Sequence, residues 1–310
     1  MANGDSLTLS ERIESVGESV TGLDREAIDG IGFAVPYLAL FVTFLLYPLV
    51  RGFWISLHEW NPFNPAQSEF VLFQNYVRMF NDPLFWTALQ NTVWFVVLTV
   101  PTLVILGLLL ALGVNRSLKG RRFLRIIFFS PYLLTVSVSS LVWMEMFSPP
   151  NSIINYYLGF VLSNPPQWLN SGLLAMPAIA ITSVWWTVGF NFIILLAARQ
   201  NIPETLYEAA RLDGANSWNA FKDVTIPQMR QSLMFVVVVQ FIASFQIFGQ
   251  VYIMTDGGPG QATETIIFYL YRMAFQSQEL GYAAALGYFL FFVLVGVSLI
   301  NFYFLGGDNE

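Results

Sequence analysis

Uncharged polar side chains recur inside the long apolar stretches of this sequence, where each of them would need a hydrogen-bond partner. In the fourth such stretch, Ser183, Thr187 and Asn191 stand four residues apart, a spacing that places them on one face of a helix. Trp186 and Phe190 accompany them. Hydroxyls and amides can hydrogen-bond the hydroxyls of a neutral solute, and aromatic rings can stack on the C–H groups of a sugar. This set is therefore a candidate solute pathway.

The fifth apolar stretch carries a second polar pair, Gln240 and Ser244, one helical turn apart. Two interpretations remain open for all of these residues. Polar side chains of membrane helices also bond one helix to the next, so each of them could serve packing alone. The pathway interpretation depends on the cluster as a whole, since amides, hydroxyls and aromatic rings occur together in it.

Residues for other chemistries are missing. The apolar stretches are almost free of charge, whereas an ion-coupled carrier needs titratable or cation-binding groups within the membrane. The chain has no cysteine and a single histidine, His58, which disfavours a metal site. No phosphate-binding loop of the GxxxxGKS or GxxxxGKT type occurs, and the glycine-rich segment at residues 256–260 is interpreted as a turn. We therefore predict a chain that is not an enzyme and holds neither cofactor nor metal.

The elements that position these residues are predicted to be membrane helices. Hydrophobic residues make up 55% of the 310-residue chain and charged residues only 11%, against about 25% charged residues in soluble domains. A helix that crosses a bilayer needs about 20 mostly apolar residues. Six stretches qualify, at about residues 32–57, 86–114, 123–147, 173–198, 231–255 and 281–307. The sequence therefore predicts an all-α, polytopic membrane protein with six transmembrane helices.

Lysine and arginine set the predicted orientation, because they are enriched in the cytoplasmic segments of membrane proteins. If the N-terminus is cytoplasmic, only three of the 14 basic residues fall on the outer side, namely Arg51, Arg78 and Arg272. The opposite orientation would invert this ratio. We therefore expect an acidic cytoplasmic tail over residues 1–30, a six-helix transmembrane domain over 31–307 and a cytoplasmic C-terminus over 308–310.

A polar insert (residues 199–230) separates the fourth and fifth predicted spans and would lie on the cytoplasmic side. Its pattern predicts two short helices: Asn201 caps the first in a capping box, and Gly214 ends it. Ser217 is expected to cap the second, which Pro227 closes before the next span. A mere linker needs neither caps nor periodicity. The insert is therefore predicted to be a docking element for another protein.

Part of this insert is similar to a known motif. Its characteristic residues, in chain order, are Glu208, Ala209, Ala210, Gly214, Val224, Ile226 and Pro227. Their order and spacing resemble the EAA loop of permease subunits of binding-protein-dependent ABC importers, in which isoleucine and leucine replace Val224 and Ile226. The segments RQNIPETLYEAARLDGANSWNAF and MTDGGPGQATETIIFYLYRMAF are similar to the carbohydrate-uptake branch, which includes the larger maltose permease subunit. The resemblance implies the type I ABC importer permease fold.

The resemblance also assigns roles within the insert. It implies that Glu208 pairs with a basic residue of a separate ATPase subunit and that Ala209 and Ala210 pack closely against that subunit. Asp213 and Gly214 complete the coupling segment, with Gly214 at the turn. ATP and magnesium would bind to the partner ATPase and not to this chain.

An assembly in a prokaryotic cell membrane is the further implication. Its other members would be a second permease subunit in a heterodimer, two ATPase subunits and an extracytoplasmic sugar-binding protein. An ungapped alignment back from the LYEA segment places Ser183, Trp186, Thr187 and Phe190 where the larger maltose permease contacts its sugar. The resemblance thus implies ATP-driven import of a sugar.

Two other functions remain open at this stage. A self-sufficient secondary carrier or channel for a neutral polar solute would explain the polar cluster, with sodium held by carbonyls and hydroxyls, but would leave the insert unexplained. A membrane-anchored scaffold would explain the insert but not a polar cluster at mid-membrane. Carbohydrate is preferred to an anionic cargo, because the predicted pathway contains no basic residue.

Overall fold

The computed structural model describes the chain over residues 25–115, 120–148 and 152–306. Within these ranges the protein is helical apart from loops and one short two-stranded ribbon. Most of the predicted acidic tail and the predicted C-terminal segment lie outside the described residues. The chain divides into two units, Met1–Ile55 and Ser56–Glu310.

The described residues of the first unit, from Arg25 onward, form a single run of helix. Helix α1 (Arg25–Phe41) passes through a wide π-helical turn (Val42–Leu46) into α2 (Tyr47–Ser56). The segment Phe33–Ser56 is apolar and has 24 residues, which is long enough to cross a bilayer. This segment corresponds to the first of the six predicted spans.

The second unit contains the remaining helices and the ribbon, in which His58 lies opposite Phe70. Its elements, in chain order, are β1 (His58–Glu59), β2 (Glu69–Phe70), α3 (Gln74–Asn81), α4 (Pro83–Asn115), α5 (Arg121–Phe129), α6 (Val136–Phe147), α7 (Ile153–Leu158), α8 (Ala175–Gln200), α9 (Glu204–Leu212), α10 (Ser217–Ala220), α11 (Ile226–Phe245), α12 (Gly249–Met254), α13 (Ile266–Tyr271) and α14 (Leu280–Gly306). Single turns of 3-10 or π-helix connect several of them.

Five segments of the described chain are long and apolar enough to cross a membrane, or six if one bent pair of helices counts as a span. In the second unit these are Pro83–Val114, Ala175–Gln200, Ser217–Phe245 and Leu280–Ile300, together with the bent pair Arg121–Leu133 and Val136–Phe147. The protein therefore crosses the membrane several times, as the composition predicts.

The third predicted span, at about 123–147, is not one straight helix. Helices α5 and α6 meet at 98°. Between them, a 3-10 turn that contains Pro131 gives way to extended backbone at Leu134 and Thr135. Proline lacks the N–H that helix continuation requires, and the Thr135 hydroxyl accepts a hydrogen bond from the N–H of Val138, which starts a new helix.

The fifth predicted span, at about 231–255, differs at both ends. A continuous helical run starts at Ser217 and passes through a π-helical turn (Phe221–Thr225) into α11, so Pro227 does not close a separate helix. The π-helical turn changes the hydrogen-bond spacing directly before Pro227, which cannot donate a backbone hydrogen bond. Helix α11 then ends at Phe245, and non-helical backbone at residues 246–248 separates it from α12.

The core of the second unit follows the long helix α4 from one end to the other. Near the start of α4, Phe85 packs with Tyr269 and Tyr282. Near its end, Val114 packs with Leu195 of α8 and with residues of the polar insert such as Ile202 and Tyr207. The polar insert therefore lies at one end of the bundle, and the α13–α14 connection lies at the other.

Two glycines allow the helices around α8 to approach closely. A Cβ at Gly189 would overlap the carbonyl oxygen of Phe128 and lie 2.8 Å from the Cα of Phe129 in α5. A Cβ at Gly107 of α4 would lie 3.0 Å from the Cβ of Asn191. Small residues of this kind permit tight packing of membrane helices. They hold the polar face of α8 against its neighbours.

Candidate functional site

A cavity of about 250 Å³ lies where the break between α11 and α12 faces α4, α6 and α8. Its walls mix hydroxyl, amide and aromatic side chains. The lining residues are Phe95, Thr99, Leu103, Val136, Ser183, Trp186, Thr187, Gln240, Ala243, Ser244, Gln246, Ile247, Phe248, Gly249 and Gln250. None of these described residues carries a charge. The cavity therefore suits an uncharged polar ligand better than an ion.

Five residues of the predicted pathway line this one cavity: Ser183, Trp186, Thr187, Gln240 and Ser244. The three from α8 lie within two helical turns, and the two from α11 face them across the cavity. Helical spacing and residue type thus selected side chains that tertiary packing brings together. Their proposed contact with a solute stays a prediction.

The other two predicted pathway residues lie behind the wall. Asn191 is fully buried, and its Oδ1 accepts a hydrogen bond from the Nε2 of Gln240 at 2.8 Å. Phe190 stacks on Tyr132, with ring centroids 5.2 Å apart. In this conformation Asn191 orients Gln240, which lines the cavity. Phe190 packs against Tyr132 in the α5–α6 bend.

The hydroxyls of the cavity are already oriented by the helices that carry them. Ser183 donates to the carbonyl of Ile179 at 2.9 Å, and Thr187 donates to that of Ser183 at 2.6 Å. Because the proton of each hydroxyl is engaged, the oxygen lone pairs remain to accept hydrogen bonds from a ligand. The cavity thus presents fixed acceptors beside the amides of Gln240 and Gln250.

Both interrupted helices contribute to the cavity at their breaks. Val136 begins α6 after the bend, and Gly249 begins α12 after the non-helical residues. A Cβ at Gly249 would lie 2.9 Å from the Cγ2 of Val136, so the two breaks meet closely. Non-helical backbone is tolerated at membrane depth only where it is buried in protein or lines a cavity. Broken helices of this kind form solute sites in several transporters.

Sequence reasoning missed several residues of the site. Thr99 of α4 lies 3.1 Å from Ser244, measured between the two hydroxyl oxygens. Phe248 and Val136 are apolar, and no periodicity separates them from packing residues. Thr99 is one of several polar residues of α4, among them Thr92 and Thr102, so residue type alone did not single it out.

The polar insert folds as two helices with a well-defined turn. The N–H of Ala215 donates to the carbonyl of Ala210 at 2.9 Å, and that of Gly214 donates to Arg211 at 3.1 Å. This pair of bonds is a Schellman motif, and it requires the positive φ of 80° at Gly214. Gly214 therefore ends α9 as predicted.

Two predicted caps of the insert are wrong. Helix α9 begins after Pro203 and not after Asn201, because Asn201 is still in helical conformation at the end of α8. Helix α10 is capped by Asn216, whose Oδ1 accepts the N–H of Asn219 at 2.9 Å, so Ser217 becomes its first residue. Adjacent residues with equal capping ability cannot be separated by sequence pattern.

Tyr207 anchors the insert to the bundle, which the sequence analysis did not foresee. Its hydroxyl lies 2.8 Å from the hydroxyl of Thr225, and the guanidinium of Arg199 lies over its ring at 4.2 Å. Tyr207 is only 8% exposed, whereas its neighbour Leu206 is 37% exposed. The insert thus packs inward through Tyr207 and leaves other side chains of α9 outside.

The predicted coupling residues lie on the outward surface. Glu208, Ala209, Asp213 and Gly214 are exposed, and Ala210 is half-buried. Within the part of the chain that the structure describes, Glu208 forms no ion pair, whereas Glu204 of the same helix pairs with Arg211 at 2.7 Å. Trp218, on the following helix, is also largely exposed. An unpaired acid beside small and aromatic side chains is a surface suited to a protein partner.

The opposite end of the bundle is held by charged groups outside the spans. Asp82 accepts hydrogen bonds from Tyr269 and Tyr282. Burial would raise the pKa of Asp82, but these bonds and that from the N–H of Leu84 outweigh it and lower the pKa below its ordinary value. Through these bonds Asp82 joins the start of α4 to α13 and α14.

The loop between α12 and α13 is tied down by a second carboxylate. Glu264 is buried and forms an ion pair with Arg272 at 2.9 Å. Burial raises the pKa of Glu264, and Arg272 offsets only part of that effect. The Asn91 side chain donates to the backbone carbonyls of Gln261 and Glu264. This loop is therefore fixed to the beginning of α4.

Apolar spans around an uncharged polar cavity are the architecture of a solute permease that crosses the membrane several times. Comparison with family models narrows this class. The chain belongs to the family described as binding-protein-dependent transport system inner membrane component, whose model matches residues 91–305. The predicted family is confirmed, and with it the prediction of a transporter subunit in place of an enzyme.

Curated relatives and solved structures agree with this assignment. The lactose transport system permease protein LacF of Rhizobium radiobacter is 34% identical over 281 residues, covering 89% of this chain and 93% of that protein. The trehalose/maltose transport system permease protein MalF of Thermococcus litoralis is 33% identical over 276 residues, covering 89% and 93%. A bacterial ABC transporter for the acidic polysaccharide alginate has the same fold, with a TM-score of 0.79 at 22% identity over 90% of this chain and 96% of that chain. The predicted all-α permease fold is confirmed.

Proposed function

We propose that this chain is the permease subunit through which an ATP-driven importer moves a neutral sugar. The observation that carries the proposal is the uncharged cavity of about 250 Å³ between two interrupted helices, which is lined by hydroxyls, amides and aromatic rings. Such a lining matches sugar hydroxyls and sugar C–H faces. The relatives named for lactose and for trehalose and maltose support the same substrate class.

A neutral sugar fits this cavity better than an acidic one. The solved transporter with the same fold imports alginate, an acidic polysaccharide. Anionic groups in a low-dielectric site need cationic partners, and none of the lining residues within the described ranges is basic. The cavity of this chain is therefore proposed to accept uncharged sugars.

The polar insert is proposed to be the contact through which conformational changes of the ATPase subunits reach this chain. Glu208 would pair with a basic residue in a cleft of the ATPase subunit, while Ala209 and Ala210 let that surface approach. Asp213 and Gly214 complete the segment, and the Schellman turn at Gly214 holds its geometry. Tyr207, Arg199 and Thr225 would transmit the motion of the insert to α8 and α11, the helices that carry the cavity.

The proposed assembly has four further chains. These are a second, related permease subunit, two ATPase subunits that bind ATP and magnesium, and an extracytoplasmic protein that delivers the sugar. The location is a prokaryotic cell membrane. Both termini and the polar insert are proposed to be cytoplasmic, since only Arg51, Arg78 and Arg272 then lie outside.

Replacement of the exposed acid on α9 tests the coupling. In the assembled complex, Glu208→Ala should abolish ATP-dependent uptake of radiolabelled lactose, trehalose and maltose and weaken co-purification of the ATPase. Glu204→Ala is the matched control, because it removes an acid from the same helix and breaks only an exposed ion pair, worth at most about 1 kcal/mol. Normal uptake by Glu208→Ala would show that the docking assignment is wrong.

A further inference from the structure

Four aromatic side chains form a continuous series that starts at the cavity. We propose that this aromatic ladder, consisting of Phe248, Tyr252, Tyr271 and Phe275, is a second sugar-binding surface that guides a neutral oligosaccharide into the cavity. The inference rests on the proposed function. It adds that the sugar is an oligosaccharide, since a single sugar unit needs no such series. Nothing in the cavity itself distinguishes a monosaccharide from an oligosaccharide.

Three rings of the ladder contact one another beside the cavity, and the fourth, Phe275, extends this group from Tyr271. Phe248 lines the cavity, and Tyr252 stacks on it with centroids 5.4 Å apart and planes at 18°. Tyr271 lies 5.1 Å from Phe248 and 5.6 Å from Tyr252. Phe275 follows at 5.3 Å from Tyr271.

The local fold explains how the series arises. The carbonyl of Phe248 accepts the N–H of Tyr252 at 2.9 Å, so these two rings are one turn apart at the start of α12. Tyr271 ends α13, and Phe275 is one turn later in the π-helical turn Arg272–Gln276. The buried ring of Phe268 supports Phe248 and Tyr271 from behind. Two short helices therefore place four rings in one series.

The last ring of the ladder is the most exposed, whereas Phe248 and Tyr271 are half-buried. Tyr252 is 44% exposed and Phe275 is 71% exposed. Because Phe275 lies in the α13–α14 connection, the ladder runs from the cavity toward the end of the bundle opposite the polar insert. That end is where an external binding protein would release its sugar under the proposed orientation.

The side chains around the ladder favour a sugar as its occupant. Gln246 and Gln250 of the cavity wall stand on either side of Phe248 in the chain. The hydroxyls of Tyr252 and Tyr271 hydrogen-bond to each other, which leaves one proton and the remaining lone pairs for a sugar. A surface for lipid tails needs no amides or hydroxyls at this position. Aromatic faces with polar groups beside them match the two kinds of surface that a sugar ring presents.

Uptake kinetics with neutral sugars of different length test this inference. The complete complex in proteoliposomes is given radiolabelled glucose, galactose, lactose, trehalose, maltose, raffinose, maltotriose, cellotriose and xylotriose, each with the binding protein and ATP. Tyr252→Ala and Tyr271→Ala should raise the KM for trisaccharides about tenfold, as expected for the loss of one stacking contact. The KM for smaller sugars should change less than twofold.

Two exposed aromatic residues outside the ladder supply matched controls. Tyr156 and Phe160 are 67% and 74% exposed and contact each other at 5.4 Å, and their replacement by alanine should leave every KM unchanged. Equal KM values for the ladder variants and the unaltered protein at every sugar length would overturn the inference while leaving sugar import intact. Loss of the second permease from the purified Tyr252→Ala complex would also overturn it, because the rings would then form a subunit interface. Failure of the unaltered complex to move any of these sugars would overturn the proposed function and this inference with it.

Discussion

Variants of the hydrogen-bonded pair Gln240 and Asn191 can show whether polar residues of the bundle serve packing, transport or both. Gln240 is 4% exposed and borders the cavity, whereas Asn191 is fully buried behind it. The Oδ1 of Asn191 accepts the bond from Gln240. The Nδ2 of Asn191 makes no hydrogen bond within the described residues. Gln240→Met removes the donor with little change in volume and leaves both polar atoms of Asn191 unpaired.

The size of the effect follows from this burial. An unsatisfied buried polar group costs about 1–3 kcal/mol, and hydrogen bonds between membrane helices contribute about 0.6–1.7 kcal/mol. We therefore expect Gln240→Met to destabilise the protein by about 1–2 kcal/mol. Asn191→Leu should cost less, because the freed amide of Gln240 borders the cavity. The double variant should recover most of the loss, since no polar group is then left unpaired.

Stability is measured by heating the detergent-purified complex and recording the fraction that remains intact in size-exclusion chromatography. Transport is measured by uptake of radiolabelled sugar. The double variant should regain stability but not transport, because Gln240 still lacks its amide at the cavity wall. A double variant as unstable as the sum of the two single variants would show that the pair does not interact. Uptake at the unaltered rate by the double variant would show that Gln240 is not a pathway residue.

Two further predictions concern packing and pH. Gly189→Ala should destabilise the complex by about 1–3 kcal/mol, because its Cβ would overlap the backbone of Phe128. Gly113→Ala meets nothing within 4 Å and should not lower the melting temperature, so equal melting of the two variants would refute the close approach. Asp82 has a lowered pKa in the folded protein, so its stabilisation is complete above the ordinary aspartate pKa of about 3.9 and is lost as pH falls through the lower folded value. The difference in melting temperature between the unaltered protein and Asp82→Asn should therefore stay constant from pH 7 to about pH 5 and shrink below about pH 4, and a difference as large at pH 3 as at pH 7 would contradict this account.

The sequence predicted the helical spans well, because bilayer thickness demands long apolar stretches that composition reveals directly. It did not predict where two of them break. Proline alone does not mark a break, since Pro101 lies inside the uninterrupted helix α4 whereas Pro131 precedes a sharp bend. The break after Phe245 contains no proline, and the close contact of Gly249 with Val136 beside it is not encoded in any local pattern.

The candidate site was predicted in part for a related reason. Helical spacing brought out Ser183, Thr187, Gln240 and Ser244, which are polar residues in apolar surroundings and therefore conspicuous. Apolar members of the wall such as Phe248 were not distinguishable from core residues until the fold placed them. Tyr207 was missed in the polar insert for the opposite reason, because its inward anchor depends on Thr225, 18 residues further along the chain.

The most direct test of the central claim is the composition and activity of the complex that contains this chain. A tagged copy is purified in mild detergent from its native membrane, and subunit stoichiometry and ATPase activity are recorded with and without binding protein and sugar. The account predicts one copy of this chain, one related permease and two ATPase subunits, with ATP hydrolysis stimulated by the sugar-loaded binding protein. A lone chain or homo-oligomer that moves sugar in liposomes without ATP would contradict it.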